Sequence, residues 1–221
     1  MTAQNPLPRP GPETALLLDA AGTLLHPREP IAATYARFAA PFGCERSVDE
    51  IGAAFRQAMG AASTLRRGSR DWRPFWLEVV GRSTGIRDAA LVDSLIDHFA
   101  HAAAWAVAPG ATRCIDALRE RGMKLGLVSN WSALLRPLLG ELDLTPRFDT
   151  IVISAEEGLE KPDPAMFMRA CARLRVEPGA TVHVGDSRQA DVEGARSAGC
   201  HALHFGHEVA SFDALARRLE N

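Results

Sequence analysis

The sequence predicts an α/β protein: a doubly wound parallel sheet with an all-helical unit inserted after its first strand. Three observations carry that expectation. From residue 107 onward, short apolar runs alternate with amphipathic helical patterns, the rhythm of strand–helix crossovers in a parallel sheet. One more apolar run, Ala15–Leu18, lies far upstream of them. Between the two, residues 27–106 show apolar spacing of three and four, which is the period of a helix face.

Residues 1–13 read as a flexible tail, because prolines at 6, 8, 10 and 12 exclude a helix and offer little to pack. Ala15–Leu18 is uniformly apolar, as a strand buried on both faces must be, and Asp19 with the glycine turn after it ends the run. Helical spacing follows at 31–42, 48–59, 75–81 and 89–104. After Pro109 and Gly110 the alternation resumes, with a helix at 112–121, a strand at Lys124–Ser129 and a helix at 134–142. A strand at 150–154, a helix at 164–175 and a strand at Thr181–Gly185 come next. The chain closes with a helix at 189–198, a strand at 201–205 and a helix at 212–219. The domain reading is a core of 14–26 and 107–221 with a helical unit of 27–106, hinged near residues 25–27 and 106–110.

Composition narrows the function classes. Hydrophobic residues make up 47% and charged residues 24% of the 221, as in ordinary folded globular proteins. With 25 basic and 27 acidic side chains the net charge is −2, so no global field draws the chain to nucleic acid or an anionic membrane. No apolar run approaches the ~20 residues that span a bilayer, and the proline-rich start lacks the apolar core of a signal peptide. Cys44, Cys114, Cys171 and Cys200 are dispersed and read as reduced thiols of a cytoplasmic protein. Lys124 and Lys161 are the only lysines, so chemistry that needs an ammonium has two candidates.

In an open parallel sheet, ligands bind just past the carboxyl ends of the strands. There the sequence places Asp19, then Ser129 and Asn130, then Asp186, with Asp191 one turn into the following helix and Lys161 in the loop KPDP. Ser129, Asp163 and Ser187 are each good helix-capping types. A carboxylate, a hydroxyl, an ammonium and two more carboxylates on one sheet edge are more than capping requires.

These motifs carry a resemblance. DAAGT at 19–23, LVSN at 127–130, KP at 161–162 and GDSRQAD at 185–191 resemble, in order and spacing, the four motifs of the haloacid-dehalogenase (HAD) superfamily. The helical insertion is similar to that superfamily's C1-type cap. The resemblance implies a Rossmann-like core and a Mg²⁺-dependent hydrolase acting on a small phosphomonoester metabolite. Asp19 would be the nucleophile, forming an aspartyl-phosphate. Asp19, Asp186 and the carbonyl of Ala21 would hold the metal. Lys161 would hold nucleophile and phosphate, and Asp191 would orient Lys161 or a metal-bound water. Ser129 and the amide of Asn130 would donate to phosphoryl oxygens, and Trp131 would stand at the lip of the site, facing the cap.

One position departs from the pattern. HAD phosphatases usually carry a second aspartate two residues after the nucleophile, as general acid and base, and this chain has Ala21. Loss of such a group costs about 10²- to 10⁴-fold in rate. Four readings compete: a phosphatase that is weakened or rescued by another donor such as His26, phosphonoacetaldehyde hydrolysis, 2-haloacid dehalogenation, and a HAD fold kept as a binding module. The second depends on a cap lysine, and residues 26–106 contain none. The GD at 185–186 favours phosphoryl chemistry over dehalogenation. The intact Asp19, Lys161 and Asp186 argue against a mere scaffold.

Other features have plainer readings. The segment LRRGSRDWRPFW at 65–76 reads as a solvated loop leading into an aromatic helix face, rather than as an anion-binding patch. His183 reads as a packed core histidine, and His201, His204 and His207 lack a metal-ligand partner set. Glu156 and Glu157 either support the metal site or belong to a solvated loop.

Overall fold

The structure is a computed structural model that describes residues 6–220. Of the expected flexible tail, residues 1–5 lie outside the described residues. Residues 6–13 are tied down instead: Leu7 packs against the core, and Thr14 Oγ1 donates to the carbonyls of Arg9 and Gly11. The proline pattern excludes helix but does not exclude packing.

Strands β1 (Ala15–Leu18), β4 (Lys124–Ser129), β5 (Thr150–Ile153), β6 (Thr181–Gly185) and β7 (His201–His204) form one parallel sheet in the order β5-β4-β1-β6-β7. The first strand in sequence is central, and crossovers leave it toward both edges. That is the doubly wound topology, whose switch point lies beside β1.

Alternation along β1 divides the core. Leu16 and Leu18 face one layer, with Leu125, Leu127, Ile153 and Val184 and the helices α5 (Ala111–Glu120), α6 (Leu135–Glu141) and α10 (Phe212–Glu220). Ala15 and Leu17 face the other, against α8 (Pro164–Leu174) and the turn α9 (Gly194–Ser197). Both faces of the strand are covered, which is why its sequence shows no polar alternation. Helix α8 starts where expected because Asp163 caps it, accepting from the Ala165 N–H at 2.9 Å, with Pro164 at its first position.

The insertion contains α1 (Ile31–Ala39), α2 (Val48–Ala61), α3 (Arg73–Thr84) and α4 (Ala89–Ala100). Helix α2 opens with a capping box between Ser47 and Glu50, and Asp88 caps α4. Tyr35, Ile51, Val80, Leu91 and Leu95 form one buried cluster of this block. Ala58, Trp72, Phe75 and Val79 form another that also touches Ala155 of the core.

Residues 27–106 are not wholly helical. Leu25–Pro27 (β2) and Trp105–Val107 (β3) pair antiparallel, His26 opposite Ala106. The two expected hinges are thus one hydrogen-bonded ribbon. Each arm has three residues, too short for a periodicity of two to stand out.

Candidate active site

Segments leaving β1, β4, β5 and β6 converge at the carboxyl edge of the sheet. The Asp19 N–H donates to the Val184 carbonyl at 3.0 Å, so β6 fixes the main chain of the residue that ends β1. Lys161 is 3% exposed. Its Nζ lies 2.8 Å from Asp19 Oδ1, 2.6 Å from Asp191 Oδ1 and 2.9 Å from the Val128 carbonyl. An ammonium has three N–H groups, and these three acceptors account for all of them.

Asp191 is completely buried and heavily bonded. Besides Lys161, its Oδ1 accepts from His183 Nε2 at 2.9 Å, and its Oδ2 accepts from the Ser187 N–H at 2.9 Å. It belongs to a π-helical turn, Arg188–Glu193, that starts the following helix. Gly185 is glycine because a Cβ there would run into the Asp191 carboxylate.

The Asn130 side chain is engaged with the main chain of Lys161. Its Nδ2 donates to the Lys161 carbonyl at 2.8 Å and its Oδ1 accepts from the Lys161 N–H at 2.7 Å. The carboxamide therefore clamps the lysine loop, and any donation to a bound anion comes from the Asn130 main chain. Ser129 is buried at the end of β4, opposite Ile153.

The geometry suits a divalent cation. Oxygens of Asp19, Asp186 and Asp191 lie within 4.8 Å of one another, three carboxylates against one ammonium. Burial pushes the Asp19 carboxyl above its usual range, with Asp191 and Asp186 adding to the shift against Lys161. Burial and Asp191 likewise push Asp186 up. Asp191 goes the other way: burial opposes its charge, but Lys161 and His183 hold it below the usual carboxylate range. Lys161 keeps its proton despite burial, because Asp19 and Asp191 raise it. A cation beside Asp19 and Asp186 relieves the imbalance.

The loop after β1 packs closely on Asp186. Gly22 has φ +79°, and a Cβ there would collide with the Asp186 carboxylate. The Ala21 carbonyl accepts no hydrogen bond among the described residues. His204 Nε2 donates to the Asp186 carbonyl at 2.8 Å and steadies that side.

The helical block adds a cavity of about 240 Å³ that reaches Ala21, Asn130 and Trp131. Trp131 is half-buried against Trp105, with ring centroids 5.0 Å apart, and lines the cavity. Arg66 corrects the reading of 65–76 as a solvated loop. Its side chain is 17% exposed, lies over Trp72 and Phe75, and comes within 3.2 Å of Glu160, the neighbour of Lys161. Glu156 and Glu157 stay outside the acidic cluster, pairing with Arg136 and with Arg169 and Arg173. His26 sits half-buried in the ribbon.

Sequence reasoning placed His183 in the core but missed its bond to Asp191. The available signal was a fully buried histidine in an otherwise apolar strand, two residues before the motif glycine, because a buried polar group needs a partner.

A doubly wound sheet whose strand ends hold a lysine braced between two aspartates, with a helical insertion after the first strand, defines a class of hydrolases. The profile of the haloacid dehalogenase-like hydrolases matches residues 13–199, and the chain belongs to that family. It is 36% identical over 203 residues to bovine (Bos taurus) haloacid dehalogenase-like hydrolase domain-containing protein 3, covering 85% of this chain and 80% of that one. A shorter match, 42% over 88 residues, covers 37% of this chain and 36% of a glyceraldehyde 3-phosphate phosphatase of Methanopyrus kandleri. A HAD phosphatase from Thermococcus onnurineus superposes with a TM-score of 0.61 at 29% identity, over 87% of this chain and 86% of that one. No described helix is long and apolar enough to cross a membrane.

Proposed function

We propose that this hydrolase cleaves a small phosphomonoester metabolite through an aspartyl-phosphate on Asp19. The observation that carries the proposal is the buried bridge of Lys161 between Asp19 and Asp191. It holds one Asp19 oxygen and leaves Oδ2 as the attacking atom, and it supplies the positive charge that a carboxylate needs to approach a phosphate. The phosphatase names of two relatives support the same reaction class.

Asp191, His183 and Asn130 are positioning residues: the first two fix the ammonium, and the third fixes the lysine loop. Ser129 and the Asn130 main chain would donate to the phosphoryl oxygens. Asp19 and Asp186, with the Ala21 carbonyl, would hold Mg²⁺, which when bound supplies charge neutralisation at the phosphate. The helical block acts as a C1-type cap that excludes water and selects the substrate. The four cysteines are free, in keeping with a cytoplasmic setting.

The test is hydrolysis of an aryl phosphate, with and without Mg²⁺, by the wild type, Asp19→Asn and Ala21→Asp. Metal-dependent turnover that disappears in Asp19→Asn is expected. A gain in Ala21→Asp shows that the missing acid limits the rate. Turnover no greater than the Asp19→Asn background sinks the proposal, and 2-haloacids without metal then test carbon–halogen cleavage.

A further inference from the structure

The cavity that reaches Ala21 and Asn130 has a composition that the reaction alone does not require. All four tryptophans of the chain, Trp72, Trp76, Trp105 and Trp131, line it, together with Tyr35 and Phe55. They come from both sides of the site: Trp72 and Trp76 from the helical block, Trp105 from the ribbon, Trp131 from the core strand end. The one charged side chain in the lining, Arg66, stacks on Trp72 and Phe75 and faces Glu160, a carboxylate it shares with the exposed Arg67.

The cavity ends at Ala21, where a methyl group stands two residues from the nucleophile. Nothing at this position can protonate a departing oxygen. An alkoxide leaving group resembles hydroxide, the conjugate base of water of pKa about 15.7, and needs that proton. A phenolate, of pKa about 10, departs far more readily without one. The wall chemistry and the missing acid therefore select the same kind of substrate by separate routes.

Resting on the phosphohydrolase reading above, we propose that the substrate is an aryl phosphomonoester whose ring system fills this cavity. A cavity of about 150 Å³ accommodates benzene, so about 240 Å³ takes a larger, two-ring group. Sugar and carboxylic-acid phosphates, whose hydroxyls and charges would lose water against these rings, fit poorly.

The reaction balances without a proton donor at Ala21. Asp19 Oδ2 attacks phosphorus and forms the acyl-phosphate bond while the phosphorus–oxygen bond to the ring breaks, its electron pair leaving on the phenolate. Water then attacks phosphorus, the aspartyl oxygen departs as carboxylate, and the water's protons end on phosphate and phenolate.

The experiment compares acetyl phosphate, phenyl phosphate, 2-naphthyl phosphate and (2-naphthyl)methyl phosphate on the wild-type protein with Mg²⁺. Acetyl phosphate has a good leaving group and no ring, so its Asp19-dependent turnover tests the site apart from the cavity. We expect kcat/KM for 2-naphthyl phosphate to exceed that for phenyl phosphate at least tenfold. The naphthylmethyl ester, equal in ring but leaving as an alkoxide, should show a kcat/KM lower by about 10²-fold or more. Ile96→Trp, which fills the cavity from α4, should cut the naphthyl-over-phenyl preference about tenfold. Saturable quenching of tryptophan fluorescence by 2-naphthol, with no chemistry involved, is expected as well. If acetyl phosphate is hydrolysed but the naphthyl preference and the quenching are both absent, the aryl assignment is wrong and the phosphohydrolase reading stands. Equal kcat/KM for the two naphthyl esters, a ratio that reports only the steps up to transfer of the phosphoryl group to Asp19, overturns the phenolate leaving group. Failure of all four phosphates to turn over above the Asp19→Asn background defeats the underlying reading itself.

Discussion

The strand ends and the helical block solve opposite problems a few residues apart. At the strand ends, buried charge is held by counted hydrogen bonds: all three protons of Lys161 have acceptors, and both oxygens of Asp191 have donors. In the block, the wall of the cavity is rings packed on rings, Trp72 and Trp76 flanking Phe75 at 5.7 and 4.8 Å. A sheet edge can carry charge because strand termini and helix starts present main-chain donors and acceptors to it. An isolated four-helix insertion has its main-chain groups tied up within its helices, so it offers shape instead. Reaction and selection are separated for that physical reason, on the reading proposed above.

The sharpest way to break the comparison is to remove charge from one region and volume from the other. Lys161→Met leaves Asp19 and Asp191 buried without their cation. Breaking a buried ion pair by deleting one partner costs about 3–5 kcal/mol, and phosphohydrolase activity should fall by about 10³-fold or more, since the nucleophile also loses its anchor. Guanidinium unfolding and a steady-state assay read the two effects. A variant with normal stability would mean that Lys161 is not the keystone of the cluster.

Phe75→Ala is the matched deletion in the block. Phe75 is fully buried, and phenylalanine-to-alanine changes at such sites cost about 3–5 kcal/mol. The stability losses should be comparable, but the activity losses should not be: Phe75 lies behind the cavity wall and touches no reacting atom. The expected signature is a lowered thermal midpoint with retained turnover of acetyl phosphate below it. Loss of that turnover in a folded variant would show that the two regions are coupled more tightly than their packing indicates.

Most of the core was legible in the sequence, and the reason is burial. Strands covered on both faces must be short apolar runs, and the residues that end them, Asp19, Ser129 and Asp186, cannot hide among leucines. The ribbon formed by Leu25–Pro27 and Trp105–Val107 was not legible, because its pairing joins residues some eighty positions apart and no local pattern encodes that. Asn130 was recognised as a site residue, but its side-chain partner is the main chain of Lys161, which leaves no mark on side-chain chemistry. Arg66 misled for a related reason. Four arginines within eight residues, 66–73, look solvated, and only the tertiary approach of Glu160 turns one of them inward.

The seam between the two regions carries the smallest effect, and one that depends on pH. His101, just after α4, has its Nδ1 3.0 Å from Glu141 Oε1 of α6, with Asp97 at 3.6 Å, while the other Glu141 oxygen accepts from the Ala102 N–H at 2.8 Å. The hydrogen bond that His101 donates to Glu141, then the charge of Glu141 and that of Asp97, raise His101 above its usual 6.5. The Ala102 N–H and His101 hold Glu141 below its usual 4.5. A raised histidine stabilises fully below its unfolded value and loses that contribution as pH rises through the folded one. A lowered glutamate stabilises above its unfolded value and loses it as pH falls through the folded one. The bridge therefore contributes fully between about pH 4.5 and 6.5 and fades above that window. All three side chains are exposed, so salt should weaken it. In His101→Asn the difference in thermal midpoint from the wild type should be greatest near pH 5.5 and vanish by pH 9. A difference that stays constant across that range would show that His101 acts by packing rather than by charge.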